Sequence, residues 1–181
     1  MSILALAARV AMASVLFWAG LEKLRAPAVV VDVARRLGAP ATVVPVVAPL
    51  LIILELATGA ALLFRPEDGV TLLAVVVLAI TFAAVGLIAL RRGEQIRCGC
   101  FGAGSDIVLG RTQLETLPLW LAGAGILAVT SPSVNEPPPA FLFVAVALTM
   151  AGLRAAAALR AARAARADRR SAREMLVWLK R

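Results

Sequence analysis

The sequence predicts an all-α integral membrane protein, a helical bundle of five spans followed by a basic helix. Three observations point there. Hydrophobic residues make up 61% of the 181 and charged residues 17%, with a mean hydropathy of +0.91, whereas soluble domains carry roughly half and a quarter. Five stretches approach the roughly 20 apolar residues that cross a hydrocarbon layer about 30 Å thick. The basic residues between those stretches alternate in density from one connection to the next.

The first span covers residues 3–21 and is interrupted by Arg9 alone. Ala11-Met12-Ala13 resembles a signal-peptide cleavage site, but a basic leading region is missing and apolar residues continue to Leu21, so a retained helix is expected. From Ala28 to Leu37, Val29, Val30, Val33 and Leu37 recur at helical spacing with Asp32, Arg35 and Arg36 opposite, the pattern of an interfacial amphipathic helix. The second span, residues 43–64, contains Glu55, and the third, residues 70–90, is uncharged throughout. The fourth, residues 112–130, carries Glu115 near its start. Ser131 to Pro139 ends in three prolines and cannot be helical. The fifth span, residues 140–159, has Arg154 near one end, where a long side chain reaches the interface. The expected organisation is a membrane bundle at 1–133, a Pro-rich loop and fifth span at 134–159, and a basic amphipathic tail at 160–181.

Charge predicts orientation. Lys23, Arg25, Arg35 and Arg36 lie between the first two spans and Arg91, Arg92, Arg97 and Arg111 between the third and fourth; Arg65 stands alone between the second and third, and no basic residue falls between the fourth and fifth. This positive-inside alternation places the N-terminus outside and the tail in the cytoplasm of a bacterial plasma membrane. Residues 1–153 carry ten basic and nine acidic residues, and residues 154–181 carry nine and two. The net charge of +8 is therefore a property of the tail, whose Arg160, Arg163, Arg166, Arg170 and Arg173 form a broad helical stripe suited to anionic lipid. The tail has no recognised nucleic-acid-binding motif, and nucleic acid is not an expected partner.

Composition also excludes chemistry. With no His and two Cys, one copy cannot build a four-ligand Cys/His zinc site or a histidine-dependent nucleophile. No resident metal or cofactor is expected. The reactive cluster is Arg97-Cys98-Gly99-Cys100-Phe101-Gly102. In an extended or turn backbone, residues i and i+2 face the same way and can come within disulfide range. Gly99 supplies the dihedral freedom that closure demands, and Gly102 and Gly104 keep the segment irregular. A disulfide so short in sequence is strained and exchangeable, and Arg97, Arg91 and Arg92 favour the thiolate. Two reduced cysteines, or half of a metal site shared by two copies, are the other readings of the same residues.

Glu55 lies near the middle of the second span, where an ionised carboxylate costs about 2.5–3.5 kcal/mol on insertion scales and needs a partner. Counted from the outer ends of their spans, Arg9 and Glu55 differ in depth by roughly 4–5 Å at 1.5 Å per residue, so an Arg9–Glu55 pair is expected to lock the two helices. A proton-relay role is the alternative for Glu55. Lys23 reads as a positive-inside anchor that could also stabilise a thiolate, with Glu22 and Arg25 on the same face, and Trp18 reads as part of an aromatic belt. Gly20, Gly59, Gly86, Gly123 and Gly125 suit close helix packing.

Phe17-Trp18-Ala19-Gly20-Leu21-Glu22-Lys23-Leu24, Glu55-Leu56-Ala57-Thr58-Gly59 and Cys98-Gly99-Cys100-Phe101-Gly102 together resemble the MauE family of methylamine utilisation, related to DoxX-like membrane proteins, over about residues 9–130. The resemblance implies a four-helix core, thiol–disulfide handling with a periplasmic thioredoxin-like partner, and maturation of a disulfide-rich dehydrogenase subunit. It also implies Cys98 and Cys100 as the redox pair, accompanied by Lys23 and Glu55. Charge counting instead puts the Cys segment on the cytoplasmic face. The functional expectation is a membrane thiol–disulfide oxidoreductase; the alternative is a non-catalytic scaffold that organises a partner redox enzyme. Electron transfer across the bilayer would require a second thiol pair or a quinone, and the sequence shows neither.

Overall fold

The computed structural model describes residues 3–93, 96, 108–130, 141–152, 154–156 and 158. The helices are α1 (Ile3–Arg25), α2 (Pro27–Arg36), α3 (Val44–Phe64), α4 (Gly69–Arg92), α5 (Arg111–Val129) and α6 (Phe141–Ala156). By length and apolarity α1, α3 and α4 can each cross a membrane, whereas α6 is shorter. The first turns of α5 carry Arg111, Thr112, Gln113, Glu115 and Thr116, which dilute its apolar character.

Local sequence sets the ends of these helices. Pro27 opens α2, where a missing N–H costs nothing. The Asp68 side chain accepts a hydrogen bond from the Val70 N–H at the start of α4, and Gly93 closes that helix in the left-handed region at φ 65°. At α5 the Gly110 N–H donates to the Gln113 side chain at 2.7 Å. Pro49 and Pro118 lie within α3 and α5 and each removes one backbone donor.

Four helices close a ring in which α1 packs on α3, α3 on α4, α4 on α5 and α5 back on α1. Successive members run antiparallel, the up-down-up-down arrangement of a four-helix bundle. Its core gathers Leu16 of α1, Leu62 of α3, Leu78 of α4 and Leu127 of α5, joined by Leu142 and Val146 of α6. Small residues permit these approaches. A Cβ on Gly86 would meet the Gly110 carbonyl at 2.8 Å, and one on Gly123 would meet the Met12 sulfur at 2.6 Å.

The two ends of the bundle differ in charge. The connections α1–α2–α3, the C-terminus of α4 and the N-terminus of α5 meet at one end, with Arg25, Arg35, Arg36, Arg91, Arg92 and Arg111. There the Arg92 guanidinium donates to the Arg36 carbonyl at 3.0 Å. The α3–α4 turn at the opposite end carries Arg65, Glu67 and Asp68. Helix α6 starts at that end, where the Phe143 and Phe64 rings meet edge to face at 5.6 Å. It finishes at the basic end, where Arg154 donates to Glu22 at 3.0 Å. The helix directions therefore alternate as the basic residues do.

Helix α2 forms where the amphipathic pattern predicts it, and none of its residues is buried. The expectation for Trp18 is corrected: it is 7% exposed and belongs to the bundle interior rather than to an outer aromatic belt.

Candidate functional site

The register between α1 and α3 positions the polar interior. A Cβ on Gly20 would meet Leu56 at 2.8 Å and Glu55 Cβ at 3.5 Å, and one on Gly59 would lie 3.5 Å from Leu16. Glu55 is thus level with Gly20, and Lys23 lies three residues, about 4.5 Å, further along α1. Side chains lean toward the N-terminus of their own helix, so across an antiparallel pair Lys23 and Glu55 lean toward each other. They meet with Lys23 Nζ 2.6 Å from Glu55 Oε1, and both side chains are buried, at 4% and 0% exposure. The Phe82 ring of α4 lies 5.3 Å from Nζ and offers its negative face to the ammonium. Among the described residues Glu55 Oε2 is buried without a hydrogen-bond partner.

The expected Arg9–Glu55 pair is therefore replaced by Lys23–Glu55. Arg9 lies eleven residues from the level of Glu55, roughly 16 Å along the axis. The outer ends of the two helices are not flush: with Arg9 at the level of the last turn of α3, α1 extends past the end of α3. Arg9, 2% exposed, instead donates from Nε to the Leu62 carbonyl at 2.8 Å and from Nη2 to the Leu63 carbonyl. These carbonyls belong to the last turn of α3, where they have no intrahelical partner and carry the negative end of the helix dipole.

The reading of Lys23 as an interfacial anchor is corrected on the same ground, since its ammonium is inside the bundle. Glu22 and Arg25 do lie at the basic end. Glu22 Oε1 accepts from Arg25 at 2.8 Å and from Arg154 at 3.0 Å, tying α6 to α1. A signal for the true pair was present in Gly20 and Gly59, whose small side chains mark the line of closest approach and so the stagger of the two helices.

Arg97, Cys98, Gly99, Cys100, Phe101 and Gly102 lie outside the described residues, as do the Pro-rich stretch and the tail from Arg160 onward. The flanks of the Cys segment are described. Leu109 donates its N–H to the Ile96 carbonyl at 2.7 Å, and both residues are buried with Ala89 against Val33, Leu37 and Val85. This small apolar cluster joins α2 and α4 at the basic end. Ile96 precedes Cys98 by two residues in the chain, and Arg91 and Arg92 end the preceding helix.

Fold and site define an all-α membrane protein, a helical bundle closed around a buried ion pair between its first and third helices. The chain belongs to the MauE family: the family model described as methylamine utilisation protein MauE matches residues 1–153, and so takes in most of α6 as well as the four-helix ring. Comparisons with curated proteins and with solved structures find no match.

Proposed function

We propose that this chain is a membrane thiol–disulfide redox protein that exchanges electrons through Cys98 and Cys100 with a thioredoxin-like partner. A thiolate of one protein attacks a sulfur of the other's disulfide and releases its second sulfur as a thiolate. The remaining cysteine then resolves the mixed disulfide, leaving one protein oxidised and the other reduced. Family membership supports this reading. The observation that carries it is the hydrogen bond from Leu109 to Ile96, which ties together both ends of the segment bearing the thiols. That tie lies at the end of the bundle where α4 closes with Arg91 and Arg92, and cations near a cysteine favour its thiolate.

The alternation of basic residues supports a plasma-membrane protein of five spans with its N-terminus outside, its tail against anionic cytoplasmic lipid, and the Cys segment on the cytoplasmic side. The test is Cys98→Ser in intact cells. Loss of activity with a mixed disulfide trapped through Cys100 is the expected result. Full activity in a Cys98→Ser/Cys100→Ser variant would overturn it in favour of a non-catalytic scaffold.

A further inference from the structure

Glu55 has one oxygen in use and one free. A carboxylate offers about four lone-pair sites on two oxygens, and Lys23 engages Oε1, while Oε2 is buried with no partner among the described residues, on a side chain that is 0% exposed. A buried acceptor is ordinarily satisfied. The helices pack closely around the pair. On the α1 side a single added carbon at Gly20 would already press Leu56 at 2.8 Å, and on the α4 side stands the Phe82 ring, 5.3 Å from the Lys23 nitrogen.

We propose that the Lys23–Glu55 pair is a proton-binding site inside the bundle, with Oε2 of Glu55 as the atom that takes up the proton. Uptake converts the carboxylate to a carboxylic acid and adds one positive charge, while Lys23 keeps its own proton and loses its counter-ion. Release restores the carboxylate and with it the ion pair to Lys23. Among the described residues the charged environment is simple. From α1 the facing group is Lys23, and Glu22 is already engaged by Arg25 and Arg154. Arg9 binds the carbonyls at the far end of α3. Helix α3 itself has no second charged residue, α4 is uncharged from Gly69 to Leu90, and on α2 Asp32 and Arg36 pair with each other at the surface. On α5 Arg111 and Glu115 likewise form an exposed pair. Neither group of the pair is a thiol, so this site goes beyond the thiol reading.

Infrared difference spectroscopy of the full chain in lipid nanodiscs, titrated in pH, tests it. The expected result is a carboxylic-acid C=O band that grows as pH falls, is lost in Glu55→Gln, and is unchanged in Cys98→Ser/Cys100→Ser. Persistence in that double variant separates the proton site from the thiol chemistry. Lys23→Met, which removes the counter-ion, should extend the band to higher pH, and Glu55→Asp should retain it at an altered frequency. Identical wild-type and Glu55→Gln spectra, with helix content intact by circular dichroism, would overturn the proposal. So would the absence of any such band from both wild type and Glu55→Asp.

Discussion

Lys23 and Glu55 stand 32 residues apart in sequence and 2.6 Å apart in space, and their contact joins the C-terminal part of α1 to the middle of α3. Removing one partner strands a charge in the bundle interior. Breaking a buried pair in this way costs about 3–5 kcal/mol, whereas replacing both partners with apolar groups of similar size is often neutral. Lys23→Met and Glu55→Leu are each expected to destabilise by that amount and the combination Lys23→Met/Glu55→Leu to recover most of it. Denaturant unfolding in mild detergent measures the cycle, and simple additivity would show that the two side chains do not act as a pair.

Gly20 and Gly125 should respond in opposite ways to added bulk. A Cβ at Gly20 meets Leu56 at 2.8 Å, and one at Gly125 meets nothing within 4 Å. Overpacking predicts that Gly20→Val costs about 1–3 kcal/mol and that Leu56→Ala partly relieves it. Gly125→Ala, in the interior of α5, should gain up to about 1 kcal/mol from helix propensity. Thermal unfolding followed by circular dichroism resolves both signs.

Arg9 should matter for stability without touching Glu55. Hydrogen bonds from a charged donor contribute about 1.5–3 kcal/mol each, so Arg9→Met, which frees the Leu62 and Leu63 carbonyls, is expected to destabilise by at least that much. Sites without shared partners add within about 0.5 kcal/mol. Coupling well above that value between Arg9→Met and Glu55→Gln would mean that the two residues communicate after all.

The alternation of charge predicts sidedness. In a Cys98→Ser/Cys100→Ser background, Glu67→Cys in the exposed α3–α4 turn should react with a membrane-impermeant maleimide in intact cells. Ala41→Cys, exposed before α3 at the basic end, should react in inverted vesicles instead. Reversed labelling of the two positions would invert the topology.

Much of the fold was legible because it depends on quantities measured along the chain. The expected spans 43–64 and 70–90 correspond to Val44–Phe64 and Gly69–Arg92 within a residue or two, and 112–130 to Arg111–Val129. Helix α1 runs four residues past the expected Leu21, to Arg25. The apolar count stops at Glu22 and Lys23, although the backbone continues helical and Lys23 is buried against another helix.

The sequence by itself determined the α-helical membrane class, the surface helix over Pro27–Arg36, the basic polarity of the connections and the family. Each of these follows from local hydrophobic period, charge or motif. The tertiary structure decided which charge answers Glu55, which end of α3 Arg9 holds, and that Trp18 is interior. Those outcomes depend on the stagger between helices, and that stagger is set by close packing around Gly20 and Gly59 between residues far apart in the chain, a relation no single helix contains.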